Sequence, residues 1–317
     1  MNDLSKYKSL AEKRKTFTRS RKNIHYTIDS IEQFDLWYNA ELNAINDSNR
    51  MIYRGMSSAE YKLYNSAQRY WILNSLTSWK GKAEVEYLKM FKFMLDRAKK
   101  DHLFKKVFEF YKLKNWESDF PLMSILQHYG APTPLLDWTY SFDVALYFAT
   151  ENINYYGSSN SIKDYFSICK IDKELNSNYT FVNLKGISRN ETPKVDDYYR
   201  YIDQENTIYF MSDFEDESIK KKNIISQFTS IYNQNIIPQE GLLIFNPFPK
   251  TPFEEYFFRS ASKNKPISCV NIHKHIAEYV RRRLKKKNVT KAYIYPSISD
   301  NAKNALNIYL DDITKLK

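Results

Sequence analysis

The sequence predicts an α+β fold: a small mixed or antiparallel sheet with surrounding helices and a helical N-terminal part. In the first half, apolar residues recur every three to four positions, which is typical of amphipathic helices. In the second half, the short apolar runs YFSICKI (165–171), TIYFM (207–211) and GLLIFNP (241–247) indicate strands. We find no internal repeat or low-complexity linker, so a basic N-terminal extension (1–24) is predicted to precede one unit, 25–315.

The first half of that unit is predicted to be mainly helical. Residues 27–45 fit an amphipathic helix, with Ser30 and Gln33 as a capping box at its start. The run MIYRG (51–55) predicts a short strand that enters a turn. Residues 83–114 are predicted to be strongly helical, because their apolar residues recur at three-to-four spacing.

The middle of the chain predicts two helices on either side of an extended segment. Residues 119–130 fit a helix that Gly130 ends in a left-handed conformation. The segment PLLDW (134–138) is predicted to be extended, and Ser141 caps a helix at 142–153.

The C-terminal part is predicted as a helix at about 270–287, a strand at 291–296 and a helix from Ser299 onward. His273 and His275 would then lie two residues apart on a helix, where side chains do not face one another. A shared metal is therefore not predicted.

Composition indicates a globular protein, with 43% hydrophobic and 27% charged residues. The sequence has no apolar run near the roughly 18–20 residues needed to span a bilayer, and no secretory signal at its start. Its 2 cysteines are not spaced as metal ligands. We therefore expect a cytoplasmic protein with reduced cysteines and without a membrane partner or a metal.

The charge balance is basic, with a net charge of +11. Lysine and arginine are concentrated in the first 22 residues and in RRRLKKK (281–287). Such blocks serve nucleic-acid contact in some proteins and are solvated helix ends in others. With 16% aromatic residues for base stacking, a nucleic-acid-binding or nucleic-acid-processing module is one of two functional interpretations.

The chain lacks the common phosphate-binding, zinc-protease and serine-hydrolase motifs, so candidate chemistry rests on three other segments. The first is Tyr53-Arg54-Gly55 at a predicted strand end. Arginine binds phosphate or carboxylate through two parallel hydrogen bonds, and glycine allows a ligand or a backbone to approach closely.

The second segment runs from residue 126 to 150, where His128 and Tyr129 end one predicted helix and Asp137 and Thr139 precede the next. A helix start attracts anions, so this segment is a candidate site wall. The alternative is a buried junction in which Asp137 caps a turn. The third segment is Gln239-Glu240, which precedes an apolar strand.

Together, YRG (53–55), LQHYGAPTPLLDWT (126–139) with VALYFA (144–149), and the Q-x-G of 239–241 resemble the FRG-domain family, named for its Phe/Tyr-Arg-Gly signature. The resemblance covers about residues 25–315. This chain departs from the family pattern at Pro134, where the family usually has arginine. The stretch LYNSAQR (63–69) matches the family's L-x-P-S-x-x-R at Ser66 and Arg69.

A weaker resemblance, in the order of these three segments, is to ADP-ribosyltransferases, which implies NAD as a possible substrate. On this resemblance Arg54 would hold the phosphates or ribose, and Tyr129 or Trp138 would stack on nicotinamide. Glu240 would be the catalytic acid, with Asp137 as its rival.

The implied activity is that of an NAD-binding transferase or NAD glycohydrolase, acting on a protein or nucleic-acid acceptor in a bacterial toxin or phage-defence setting. The oligomeric state is not predicted. Ten residues form the predicted site: Tyr53, Arg54, Gly55, His128, Tyr129, Asp137, Trp138, Thr139, Gln239 and Glu240.

Overall fold

The computed structural model describes most of the chain in eleven segments. The described residues are 5–17, 25–44, 50–76, 83–110, 119–155, 157, 159–175, 179–183, 207–212, 235–257 and 266–297.

The described strands form one mixed sheet in the order β1-β8-β4-β2-β3-β7-β6-β5. The strands are β1 (His25–Ile28), β2 (Met51–Met56), β3 (Leu135–Thr139), β4 (Tyr165–Asp172), β5 (Thr180–Asn183), β6 (Thr207–Ser212), β7 (Gly241–Phe245) and β8 (Ile267–His273). The β1–β8 and β5–β6 pairs are parallel, and the remaining pairs are antiparallel.

Helices pack around this sheet, which confirms the α+β class. They are α1 (Leu10–Phe17), α2 (Ile31–Ala44), α3 (Ser66–Leu73), α4 (Ala83–Lys100), α5 (His102–Phe110), α6 (Asp119–His128), α7 (Phe142–Thr150), α8 (Phe253–Tyr256), α9 (Ala277–Lys286) and α10 (Lys291–Ile294). None of the described helices is long and apolar enough to cross a membrane.

The sheet is nearly divided at its centre. Strand β2 pairs with β4 along its whole length, and β3 pairs with β7 along its whole length. Between β2 and β3, however, the register contains one residue pair, Tyr53 with Thr139. Two four-stranded half-sheets, β1-β8-β4-β2 and β3-β7-β6-β5, therefore meet at a single point.

Different helices cover the two half-sheets. Apolar residues of α2, α7 and α9 pack with β2, β4 and β8 in one core cluster. Residues of α3, α4 and α6 pack with β3 and β7 in another. Near the meeting point of the half-sheets, α6 and α7 contribute side chains to one cleft.

Strand β2 and helix α7 are in close contact at Gly55. A β-carbon there would overlap the carbonyl oxygen of Ala145 and would lie 2.8 Å from the amide nitrogen of Ala149. Ala145 and Ala149 are four residues apart, so they lie on one face of α7. The glycine of YRG and the alanines of VALYFA thus form one packing contact.

Most predicted elements of the first half are confirmed, with different boundaries. In the segment predicted as a helix at 27–45, the first two residues end strand β1 and α2 begins at Ile31; Ser30 Oγ accepts the Gln33 N–H, as in a capping box. The Gln33 side chain, however, accepts the N–H of Asp29 instead of that of Ser30. Residue 45 lies outside the described residues.

The helix predicted at 83–114 is two helices, α4 and α5, which are separated at Asp101. The Asp101 carboxylate accepts the N–H groups of Leu103 and Phe104, so it caps α5. Residues 111–114 of the prediction lie outside the described residues.

The helix end and the helix start predicted in the middle of the chain are confirmed. Gly130 follows α6 with a φ of +88°, and Ser141 Oγ accepts the Val144 N–H at the start of α7. The extended PLLDW segment corresponds to β3.

The C-terminal prediction was partly wrong. The helix predicted at about 270–287 begins as strand β8, which is buried along most of its length, and only its later part is helix α9. The strand predicted at 291–296 is the short helix α10, which Thr290 caps. The helix predicted from Ser299 lies outside the described residues.

The interpretation of His273 and His275 as side chains that do not meet was also wrong. Because His273 ends a strand and a 3-10 turn follows, the two rings are in contact, with their Nδ1 atoms 2.5 Å apart.

Candidate functional site

The point where the half-sheets meet opens into a cleft of about 380 Å³. Strands β2, β3 and β7, helices α6 and α7, the turn before β7 and the segment after α10 form its walls. The lining residues are Tyr53, Arg54, Gly55, Ser124, Gln127, His128, Asp137, Trp138, Thr139, Phe148, Asn235, Ile236, Gln239, Gly241, Leu242, Leu243 and Tyr295.

Eight of the ten predicted site residues line this cleft, and Tyr129 and Glu240 lie outside it. Tyr129 is 72% exposed and packs its ring edge against His128. Glu240 occupies the turn before β7 with a φ of +44°, where its carbonyl oxygen accepts the Tyr140 N–H. Because Asp137 lines the cleft and Glu240 does not, the geometry favours Asp137 as the carboxylate of the cleft.

Arg54 brings a positive charge to the cleft, and its hydrogen-bonding capacity is only partly used. Its Nη1 donates to the main-chain oxygen of Asp137 and lies 4.0 Å from the Asp137 carboxylate. Its Nε is buried and has no partner among the described residues. Burial lowers the pKa of Arg54, and the Asp137 charge partly offsets that effect. The side chain as a whole is 21% exposed and lies in the cleft lining, where its guanidinium can meet an anion.

A second arginine, Arg69, adds positive charge beside the first. It lies on α3, and its Nη1 donates to the Tyr64 carbonyl oxygen at 2.5 Å. Partial burial lowers the pKa of Arg69, and the positive charge of Arg54 lowers it further, while Asp137 opposes both effects. Two guanidinium groups thus interact with the same carboxylate, that of Asp137. The net positive charge that remains favours the binding of an anion.

The Asp137 carboxylate lies at the mouth of the cleft. Its side chain is 71% exposed, and Oδ1 accepts a hydrogen bond from Gln127 Nε2 at 2.7 Å. Gln127 Oε1 in turn accepts the Thr133 hydroxyl. Gln127 is absent from the predicted site, although it directly precedes His128 in the motif; its amide was the available signal.

The turn before β7 is tied to both neighbouring elements. Thr139 Oγ1 donates to the Gln239 carbonyl oxygen at 2.6 Å, and Gln239 Nε2 donates to the Ile294 carbonyl oxygen at 3.1 Å. Gln239 therefore joins the cleft wall to α10, next to Tyr295. Tyr295 and Phe148 are also absent from the predicted site; a Tyr-Pro dipeptide and the VALYFA motif were the signals.

Three predicted residues form the packed wall of the cleft. Tyr53 is buried against Phe142, and Trp138 is buried against Phe253. Gly55 is held against α7 by its close contact with the helix backbone. Pro134 is buried, and its carbonyl oxygen accepts the Asn246 N–H.

The basic block 281–287 has partners within the chain. Arg281 donates to the carbonyl oxygens of Thr150 and Ile153 at the end of α7, and Arg283 pairs with Asp35 at 2.5 Å. Lys287 pairs with Asp143 at 2.8 Å. Much of the positive charge of this block is thus bonded to neighbouring helices of the fold. No group of three or more potential metal ligands occurs in the part of the chain that the structure describes.

Comparison with known proteins finds one family model that matches part of the chain. Residues 49–157 match the model of the FRG domain. No curated protein and no solved structure matches the chain. The matched segment contains β2, α6, β3 and α7, and with them Arg54, Arg69, His128 and Asp137. Most of the residues that line the cleft thus lie in the segment, 49–157, that matches the FRG-domain model.

Proposed function

We propose that this protein binds NAD in the cleft and breaks the glycosidic bond between nicotinamide and ribose, as an ADP-ribosyltransferase-like enzyme or an NAD glycohydrolase. One observation carries the proposal: a partly unpaired arginine, Arg54, lies beside an accessible carboxylate, Asp137, where the sheet divides.

The two arginines suit the pyrophosphate of a dinucleotide. Arginine donates two parallel hydrogen bonds to phosphate oxygens, and the partly exposed guanidinium of Arg54 lies in the cleft lining. Arg69 adds a second positive charge nearby. Because the cleft holds about 380 Å³, it suits the nicotinamide-ribose end, with the phosphates at the arginines and the adenosine outside.

The carboxylate suits the chemistry of bond cleavage. Loss of nicotinamide builds positive charge on the ribose, and a nearby carboxylate stabilises that charge. Asp137 is exposed to the cleft and held by Gln127, whereas Glu240 lies outside the lining. We therefore assign the stabilising role to Asp137. His128, also in the lining, is positioned to contact the ligand or an acceptor.

The acceptor class follows from the resemblance alone. A protein or nucleic acid would receive the ADP-ribose in a transferase, and water in a glycohydrolase, within a bacterial toxin or phage-defence setting. A nucleic-acid module without NAD chemistry has less support, because several cations of the block 281–287 are bonded within the fold.

The test combines binding with product release. The melting temperature is measured with and without NAD for the purified wild-type protein, for Arg54→Gln and for the matched control Arg282→Gln. Free nicotinamide is measured in the same samples. Arg282 is an exposed residue of α9, paired with Glu278 at 3.7 Å. We expect NAD to raise the melting temperature of wild type and control but not of Arg54→Gln, since a ligand of the folded state stabilises it.

Nicotinamide release by wild type and control would separate an enzyme from a binding protein. Absence of both a thermal shift and nicotinamide, with and without added protein or RNA acceptors, would contradict the NAD proposal.

A further inference from the structure

The two cysteines of the chain lie opposite one another in the core. Cys169 of β4 and Cys269 of β8 are register partners on adjacent antiparallel strands. Their sulfur atoms are 3.2 Å apart, and both residues are fully buried. A disulfide needs about 2.0 Å between sulfurs and about 4.4–6.8 Å between the α-carbons, a spacing that neighbouring strands provide.

A fully buried lysine accompanies this pair. Lys13 of α1 is 0% exposed, and its Nζ donates to the Ala59 carbonyl oxygen at 3.0 Å and to Ser167 Oγ at 2.8 Å. Both acceptors are neutral, and no carboxylate of the described residues forms an ion pair with Lys13. The nearby buried carboxylate of Glu254 on α8 instead accepts the Tyr7 hydroxyl at 2.5 Å and acts to raise the pKa of Cys169. A buried ammonium without an anion is unfavourable, so a thiolate is the expected counter-ion.

The electrostatics of the two thiols differ. Burial raises the pKa of Cys169 well above its ordinary value. Burial also acts to raise the pKa of Cys269, but the hydrogen bond from Cys169 and the Lys13 ammonium lower it overall. These directions favour Cys169 as the thiol that keeps its proton and Cys269 as the one that ionises first.

We propose that Cys169 and Cys269 are a redox modification site, which hydrogen peroxide converts into a reversible disulfide, with Cys269 as the nucleophile and Lys13 as its counter-ion. A buried thiol in an apolar core is ordinarily inert. The facing thiol and the buried ammonium distinguish this pair from that ordinary case.

The reaction balances with one molecule of peroxide. The Cys269 thiolate attacks a peroxide oxygen, the O–O bond breaks, and a sulfenic acid and hydroxide form. The hydroxide takes the proton of Cys169, whose sulfur attacks the sulfenic sulfur. The S–O bond breaks and a second hydroxide leaves. Both sulfurs are oxidised, and peroxide is reduced to water and hydroxide.

The pair adjoins the cleft without depending on its proposed function. Cys169 is the register partner of Arg54 on β2, so Cys269, Cys169 and Arg54 form one row across three strands. The oxidation test itself uses no NAD and no catalytic readout, so it stands whether or not the cleft binds a dinucleotide.

The experiment uses the dilute full-length native protein. The protein is treated with hydrogen peroxide, and the reaction is quenched. It is then denatured in the presence of a thiol-alkylating maleimide, and the mass of the intact protein is measured. We expect a monomer lighter by about 2 Da that takes up no maleimide and regains both thiols with dithiothreitol. Native protein that still alkylates twice, or that gains oxygen without the cross-link, would overturn the proposal.

The role of Lys13 is tested separately. We expect Lys13→Met to slow cross-linking about tenfold at neutral pH, because less Cys269 is thiolate. If that variant does not fold, the pH profile of wild-type cross-linking decides instead. A midpoint below the ordinary thiol value of about 8.5 supports the counter-ion, and a midpoint at or above it overturns that role.

Discussion

Gly55 of β2 and Ala145 of α7 are so close that a single added carbon would overlap the helix backbone. The contact lies beside Arg54, so it fixes where the site arginine leaves the strand. The glycine of the YRG signature is thus explained by packing, and the arginine by its position in the cleft.

Replacing Gly55 by alanine is expected to lower the free energy of unfolding by about 3 kcal/mol, because helix and strand must move apart. Urea denaturation measures the loss. Gly130→Ala is the matched control: no atom lies within 4 Å of its added carbon, and only its φ of +88° is unfavourable. We expect about 1 kcal/mol there. Equal losses in the two variants would contradict the steric explanation.

Replacing Asp137 by asparagine is expected to reduce nicotinamide release by at least about 100-fold, because the amide cannot stabilise positive charge on the ribose. NAD binding, followed by thermal shift, should persist. Glu240→Gln is the comparison, and its rate should stay within about tenfold of wild type. The reverse ranking would return the acid role to Glu240 and place the chemistry at the turn before β7.

Replacing Arg69 by glutamine is expected to weaken NAD binding about tenfold, since one of two positive charges near the phosphates is lost. The dependence of affinity on salt should also become shallower. Titration calorimetry at two salt concentrations measures both effects. The exposed Arg97 of α4 serves as control, and an Arg97→Gln variant with the same loss would mean that only net charge matters.

Acid should weaken the fold through the ion pair of Asp172 with Arg50, which has Oδ1 and Oδ2 distances of 2.8 and 2.6 Å. Burial opposes ionisation of Asp172, but the Arg50 hydrogen bonds and nearby backbone N–H groups lower its pKa overall. Because the folded pKa is below the ordinary value of 3.8, this stabilisation is present above that value and is lost as the pH falls through the folded pKa.

Asp172→Asn should therefore cost about 2 kcal/mol at neutral pH and little in strong acid. Urea midpoints at both pH values test this. A loss that is the same at both would show that the carboxylate charge is not the cause.

Sequence predicted the segments that line the cleft better than it predicted the C-terminal fold. YRG and LLDWT are short strands joined to helices by glycine, proline and serine, so local signals suffice to place them. The run ISCVNIH (267–273) is different, because a strand buried on both faces has no alternation that would distinguish it from a buried helix. The KAYI segment (291–294) has strand-like composition, yet Thr290 caps it as a helix.

The missed lining residues show a second limit. Gln127 and Phe148 lie within the recognised motifs, but which faces of α6 and α7 meet the cleft depends on tertiary packing, such as the contact of Gly55 with α7. Tyr295 reaches the cleft because Gln239 bonds to Ile294, a contact between residues 55 positions apart. No local pattern contains that information.

Because the halves of the sheet share one residue pair, side-chain packing and not a hydrogen-bond ladder joins them. Ile52 of β2 and Leu136 of β3 belong to one apolar cluster that spans both halves. Arg54 belongs to one half, and Gln239 adjoins the other. A ligand that touched both would add a polar connection across the sheet at the point where the main chain supplies almost none.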